Sequence, residues 1–150
     1  MMQDAEDKLA IAKTQGQAQF DSIKELVEAL RASGEPASDE AMQAITEDAL
    51  SVQVRSGWYT LGDNHNPRLA DNCKPSEYNI LLCTGGPACQ LIGELDQYGQ
   101  PETCRMEVQD WGTPWTAMRP LVSRSKLEGD DYDSEPVMLA YASCFYFGEG

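Results

Sequence analysis

The sequence predicts an α+β fold in which an N-terminal helical hairpin and a C-terminal helix accompany a small antiparallel sheet of about three to five strands. Apolar residues at helical spacing mark the first fifty positions, and beyond them apolar and polar residues alternate in short runs. The Gly- and Pro-rich turns between these runs are too short for the crossovers that parallel strands need. At 150 residues the chain fits one compact unit, with a helical segment at 1–50 and a sheet segment at 51–150.

The first helix is predicted from apolar residues that recur three, four and seven positions apart and share one helical face. Ser33-Gly34-Glu35-Pro36 ends it, because glycine suits the position after a helix and proline cannot continue one. Either one helix runs through Gly16, or a new helix starts at a capping box of Ser22 and Glu25. The apolar stripe consists of Leu9, Phe20, Ile23, Val27 and Leu30.

A second helix is predicted from about Ser38 or Asp39 to Leu50. The residues expected to face inward are Met42, Ile45, Ala49 and Leu50. The resulting hairpin either packs on the rest of the domain or forms an arm for dimerisation or partner binding. The arm is an alternative because the stripe of the first helix is narrow and heptad-like.

Strands are predicted at 52–55, 78–83, 88–95 and 103–111, where apolar and polar residues alternate or form a short apolar run. Gly57-Trp58-Tyr59 continues or bends the first strand, and residues 61–76 are predicted to be a loop. The apolar stretch 136–147 is predicted to be a helix packed on the sheet, because Ser134 can cap it and Pro136 suits its first turn.

The chain carries 25 acidic residues against 11 basic ones, which gives a net charge of −14. A field of this sign repels nucleic acid and anionic lipid and attracts basic surfaces. The first residues are acidic and lack the apolar core of a secretory signal, and no apolar run is long enough to span a membrane. We therefore expect a cytoplasmic protein that binds neither nucleic acid nor membrane directly.

The five cysteines and the single His65 do not match a metal site, because no C-x-x-C pair is present. We expect reduced thiols, no metal and no cofactor. The sequence also lacks the phosphate-binding, dinucleotide-binding and common hydrolase motifs.

Two motifs could carry chemistry or binding. In Cys83-Thr84-Gly85-Gly86-Pro87 a thiol precedes a glycine-rich turn whose amides could bind an anion, with His65 as the one available base. A tight hairpin turn is the structural alternative. The segment 109–116 places Trp111 and Trp115 four residues apart, either as a binding clamp or as part of the core.

The densest acidic stretch is 128–135, which is either a solvated loop or a docking site for Arg and Lys. Its candidate partner-binding residues are Asp130, Asp131, Asp133 and Glu135, and we add the two tryptophans at 111 and 115.

The stretches RSGWY (55–59), ILLCTGGPA (80–88), GELD (93–96), QDWGTPWT (109–116) and FYFGE (145–149) resemble an uncharacterised family of small proteins from bacteriophages, prophages and mobile elements of proteobacteria. The resemblance covers about residues 50–149 and implies no catalytic residue. Small acidic proteins from such genomes are often inhibitors of host enzymes or defence complexes, including anti-CRISPR proteins and DNA mimics.

These observations lead to one main functional hypothesis and two alternatives. The main hypothesis is a non-enzymatic, phage-type protein of the host cytoplasm whose acidic surface binds and inhibits a basic, nucleic-acid-handling complex of the host. The first alternative is a small-ligand binder or cysteine-dependent enzyme that uses the Cys83–Pro87 turn with Trp111 and Trp115. The second is a self-associating protein that forms a homodimer through the N-terminal helix.

Overall fold

A helical hairpin, a five-stranded antiparallel sheet and a C-terminal helix follow one another in the computed structural model, which describes residues 2–56, 75–110, 113–121 and 134–147. The predicted α+β fold is therefore confirmed. Each strand pairs with its neighbour in sequence, so the sheet is a meander of order β1-β2-β3-β4-β5. The elements are α1 Met2–Ala32, α2 Asp39–Asp48, β1 Ser51–Ser56, β2 Pro75–Cys83, β3 Ala88–Glu94, β4 Arg105–Gln109, β5 Thr116–Met118 and α3 Glu135–Ala142.

Helix α1 runs without interruption through Gly16, which decides between the two predicted starts of the first helix. Its apolar stripe lies in the core, with Phe20, Ile23 and Val27 fully buried and Leu9 and Leu30 packed against them. The helix contacts α2, α3, β3 and β4. The three buried side chains are thus used inside the chain and are not exposed for contact with a second copy.

The turn between the helices follows the sequence signals closely. Gly34 has a φ of +111°, a conformation that glycine adopts without the steric cost of a side chain. Ser38 then caps α2, because its Oγ accepts a hydrogen bond from the Ala41 amide at 3.2 Å. Ile45 is the fully buried residue of α2.

The prediction that Leu50 faces inward is wrong. The helix ends at Asp48, and Leu50 is 59% exposed. Its amide donates a hydrogen bond to the Leu81 carbonyl at 2.8 Å, so the chain has already joined the sheet at this point. The side chain therefore follows the pleat of an edge strand and no longer the face of α2.

The sheet has one apolar face and one polar face, because successive side chains of a strand point to opposite sides. The apolar face carries the helices and contributes its largest residues to the core, namely Tyr78, Ile80, Leu91, Met106 and Val108. Strand β1 lies at the edge of the sheet, and α1 packs over β3 and β4 instead. Val52 and Val54 are for this reason exposed, although they pair with buried residues of β2.

Two element boundaries differ from the prediction. The strand expected over 103–111 covers Arg105–Gln109, and the short β5 after it was not predicted. The helix expected over 136–147 ends at Ala142, and Phe147 then folds back so that its ring lies 4.8 Å from that of Tyr78. Residues 57–59 and most of the loop predicted at 61–76 lie outside the described residues, whereas Pro75 and Ser76 already belong to β2. Within the described part of the chain, no helix has the length and apolar character needed to cross a bilayer.

Substitution of Gly16 by alanine should destabilise the fold. A Cβ at this position would lie 2.7 Å from Val108 Cγ1 and would also meet the Met118 sulfur, so either these core side chains or α1 must shift. We expect the overpacking cost of about 1–3 kcal/mol to exceed the gain of about 0.5–1 kcal/mol from removing a glycine inside a helix. Urea unfolding measures the difference. The control is Ala18→Gly at an exposed position of α1, which should lose only the helix-propensity term, and a more stable Gly16→Ala protein would contradict the packing seen here.

Candidate functional site

Only two of the six predicted partner-binding residues are described. Asp130, Asp131, Asp133 and Trp111 lie outside the described residues, whereas Glu135 and Trp115 lie inside them. Trp115 is 37% exposed and directly precedes β5, so it is neither a complete core plug nor a fully exposed clamp.

Glu135 has a structural contact within the chain. It is the first residue of α3, and its Oε2 accepts a hydrogen bond from the Cys104 amide at 3.1 Å. A carboxylate that is half-buried and bound to a backbone amide ties the start of α3 to the residue before β4. A substitution here would therefore disturb packing as well as surface charge.

The two motif turns lie at the same end of the sheet. Ala88 pairs with Gln109, which brings the turn at 84–87 beside the end of β4 and Asp110. Gly85 has a φ of +117°, and Thr113 closes the second turn through hydrogen bonds with the Asp110 backbone. The Cys83 turn and Trp115 thus lie at the same end of the sheet, whereas Trp111, the second ring of the small-ligand alternative, lies outside the described residues.

The Cys83 thiol does not have the electrostatic environment of a nucleophile. Burial raises its pKa, and its Sγ faces the Pro87 carbonyl oxygen at 4.0 Å. Reactive cysteines instead have a lowered pKa beside a cation, a metal or a helix N-terminus. The predicted base, His65, lies outside the described residues. The described surroundings of Cys83 therefore give the cysteine-enzyme alternative no support.

The other described thiols are also in apolar surroundings. Burial is the main cause that raises the pKa of Cys89 and Cys144, and it raises the pKa of Cys104 to about 12. All four described cysteines are free thiols. Across the described ranges, no group of three or more His, Cys, Asp or Glu side chains is placed to hold a metal ion.

An acidic surface lies on the helical hairpin. Residues 33–50 contain five carboxylates and no lysine or arginine. Because Ile45 points into the core, Glu40 and Glu47 on α2 remain exposed, and a hydrogen bond of 2.8 Å from Gln43 holds the Glu47 carboxylate. We call residues 33–50 the acidic hairpin surface.

The polar face of the sheet carries a ladder of side-chain hydrogen bonds across three strands. The Asn79 amide donates to Gln90 Oε1 at 2.7 Å, and the Gln90 amide donates to Glu107 Oε1 at 2.9 Å. Gln90 is only 7% exposed, so its amide group is fixed in place by both contacts. Arg105 approaches the second Glu107 oxygen with its Nε at 3.5 Å.

Beside this ladder, Arg55 and Glu77 form a two-point ion pair across β1 and β2. The Arg55 Nε and Nη2 atoms lie 2.7 and 3.1 Å from the two carboxylate oxygens. The hydrogen bond with Arg55 is the main cause that lowers the Glu77 pKa, and the charge of Arg105 lowers it further. Both arginines therefore act on the same carboxylate.

Sequence reasoning missed this polar face. Its members are spread over four strands and alternate with core residues, so no local motif contains them. The available signal was the alternation of polar and apolar residues. Polar residues stand at alternate positions of these strands, at Glu77 and Asn79 on β2, Gln90 on β3, and Arg105 and Glu107 on β4. Only the pairing register shows that these positions are neighbours.

The buried thiols should react slowly with alkylating reagents. At a pKa of about 12, roughly one Cys104 thiol in 10⁵ is ionised at pH 7, and the thiolate is the reactive form. We expect iodoacetamide to modify Cys83 and Cys144 before Cys89 and Cys104 in the native protein, as followed by peptide mass spectrometry. The unfolded protein is the control, in which these four thiols should react at similar rates. Rapid modification of Cys83 in the folded protein would instead support the hypothesis that this thiol is a nucleophile.

The same burial should make stability fall at alkaline pH. An unfolded thiol has a pKa near 8.5, well below the pKa of about 12 of folded Cys104, so the unfolded state loses its proton first. The stabilisation is complete below about pH 8.5 and is lost as the pH rises toward 12, by up to about 1.4 kcal/mol per pH unit for one thiol. Urea unfolding at pH 8 and pH 10 measures this slope, and Cys104→Ala should reduce it. An unchanged slope in the variant would contradict the assignment.

Comparison with known proteins found no protein-family model that matches the chain and no match among curated proteins or solved structures. The resemblance to a phage-type family therefore stays a prediction.

Proposed function

We propose that this protein acts by binding rather than by catalysis, and that its acidic hairpin surface docks on a basic surface of a host nucleic-acid-handling or defence complex and inhibits it. The observation that carries the proposal is the composition of residues 33–50, with five carboxylates and no basic residue. Residues 33–50 contain no cation that could neutralise these carboxylates, so their charge can attract arginine and lysine side chains of another protein.

The hairpin also holds these charges in a fixed arrangement. Residues 40, 43 and 47 are spaced three and four apart, so Glu40 and Glu47 share one face of α2 with Gln43. Ser38 orders the first turn, and Asp48 in the last turn accepts a hydrogen bond of 2.7 Å from the Tyr141 hydroxyl. A rigid set of charges loses less conformational entropy on binding than charges on a mobile segment.

The density of charge favours complementarity to a basic protein surface over a close copy of DNA. Helix α2 has 10 residues and therefore spans about 15 Å, over which it carries Asp39, Glu40, Glu47 and Asp48. Duplex DNA carries one charge per 1.7 Å of its axis, or about nine over the same length. The predicted residues Asp130, Asp131 and Asp133 lie outside the described residues, and their part in binding stays a prediction.

The test is capture from a bacterial lysate on the immobilised chain, followed by a salt gradient and mass spectrometry. We expect one dominant captured protein that itself binds duplex DNA and that elutes as the ionic strength rises. Glu40→Lys and Glu47→Lys, separately and together, should weaken its capture, because each variant places a cation against the partner's basic surface.

Glu102→Lys is the matched control, since it makes the same charge change at an exposed position of the turn between β3 and β4. It should retain capture. Equal loss in the control and in the hairpin variants would show a general charge effect, and equal retention would reject the acidic hairpin surface as the binding site. A captured protein without affinity for nucleic acid would reject the proposed class of target.

A further inference from the structure

A cleft of about 340 Å³ lies on the polar face of the sheet, on the side away from the helices. It is separate from the acidic hairpin surface and from the Cys83 turn. Its volume is at the lower end of the range of small-molecule sites, about 300–1,000 Å³. The lining residues that bear on its chemistry are Arg55, Glu77, Asn79, Ile92, Glu94 and Arg105.

Arg105 supplies a cation whose ion pair with the described residue Glu107 is weak. Its Nε lies 3.5 Å from Glu107 Oε2, which is longer than the 2.7–2.9 Å of a strong charge-assisted hydrogen bond. The side chain is 62% exposed. The Arg55 guanidinium, by contrast, is held by Glu77 at two points. Among the described residues, none accepts a hydrogen bond from the terminal nitrogens of Arg105, so these nitrogens can form a fork for a ligand carboxylate.

Glu94 supplies an anion on the same face of the sheet, diagonally across from Arg105. Arg105 pairs with Ile92 across β3 and β4, and Glu94 lies two residues further along β3 on the same face. Diagonal neighbours of this kind are about 7–8 Å apart. In the described parts of the chain, no ion pair joins Arg105 to Glu94. This is the separation of the two backbone positions, and the long Arg105 and Glu94 side chains can both contact one small molecule that carries a carboxylate and an ammonium group.

The floor of the cleft is ordered before any ligand arrives. Asn79 lies opposite Ile92, and its amide nitrogen is fixed by donation to Gln90. Among the described residues, none donates a hydrogen bond to Asn79 Oδ1, so this oxygen can accept one from a ligand N–H. Ile92 provides an apolar contact between the polar groups. Fixed donors and acceptors of this kind reduce the ordering cost of binding.

The charges of the cleft itself favour one class of ligand. Its lining carries two arginines and two glutamates, which balance, so a molecule with both a positive and a negative group suits it better than a phosphate or dicarboxylate, which the net charge of −14 also repels at long range. We propose that this cleft binds a small zwitterion, either a free amino acid or a short peptide, with its carboxylate on Arg105, its ammonium group on Glu94 and an N–H on Asn79 Oδ1. This proposal is independent of the proposed function, because it uses a different surface.

The experiment is an NMR titration of the full chain that follows the side-chain amide signals of Asn79 and Gln90. The probes are leucine, the dipeptide alanyl-leucine, N-acetylleucine and inorganic phosphate, each up to about 10 mM. We expect leucine or alanyl-leucine to shift these signals, and the tighter of the two identifies the source as an amino acid or a peptide. N-acetylleucine, which lacks the ammonium group, should bind more weakly.

Two variants test the assigned contacts. Arg105→Gln should weaken zwitterion binding by about tenfold or more, whereas the matched control Arg119→Gln removes the same charge outside the cleft and should leave it unchanged. Glu94→Gln should weaken leucine or alanyl-leucine but leave N-acetylleucine unchanged. Both substitutions in the cleft are at exposed positions, and circular dichroism confirms that the variants fold.

Three results would overturn the proposal. The first is the absence of any shift of the Asn79 and Gln90 amides with all four probes. The second is phosphate binding as tight as that of the zwitterions, which would indicate a general anion site. The third is an equal loss in Arg105→Gln and Arg119→Gln, which would show that the cleft is not the place of binding.

Discussion

The close approach of α1 to strands β4 and β5 at Gly16 is the constraint on which the rest of this structure depends. Without a side chain there, the helix backbone rests on Val108 and Met118. From this point the helix extends along the apolar face of the sheet and also contacts α2 and α3. The buried stripe of Phe20, Ile23 and Val27 follows from this placement, because a helix held against the sheet turns one face into the core throughout its length.

The same packing encloses polar groups, and each of them is paired. The Tyr78 hydroxyl donates to the Thr103 carbonyl at 2.6 Å, and Tyr141 donates to Asp48. In the described residues, no buried side-chain nitrogen or oxygen is without a partner. Burial raises the pKa of both tyrosines, so their hydroxyls stay protonated as donors. Gly93 belongs to this arrangement, since a Cβ there would collide with the Thr103 carbonyl and the Tyr78 hydroxyl.

The packing also separates two surfaces of different chemical character. The acidic hairpin surface has no cation of its own, which suits a basic protein partner. The cleft on the polar face instead combines Arg55 and Arg105 with carboxylates and amides at fixed spacings. A net charge of −14 describes the long-range field, whereas recognition in the cleft depends on charges within a few ångströms, which are less screened by salt. The two proposals can therefore be tested separately.

Local signals in the sequence were sufficient to predict most of the elements. Four features depend on neighbouring residues, and each was predicted: the stripe of α1, its end at Ser33–Pro36, the start of α2 at about Ser38 or Asp39, and the strands around Ile80, Leu91 and Met106. Two features were not predicted, because they depend on residues distant in sequence. Pairing with β4 defines the short strand β5, and the contact of Phe147 with Tyr78 accompanies the end of α3 at Ala142. The prediction that Leu50 faces inward was wrong for the same reason, since the edge of the sheet sets the environment of this residue.

The candidate cleft shows most clearly what only the tertiary structure decided. The sequence by itself determined the α+β class, the antiparallel pairing and the acidic character, because these depend on periodicity, turn length and composition. It could not show that Glu94, Arg105 and Asn79 lie close together, since they belong to three strands and become neighbours only through register. A shift of one residue in that register would move each of them to the opposite face of the sheet and remove the cleft.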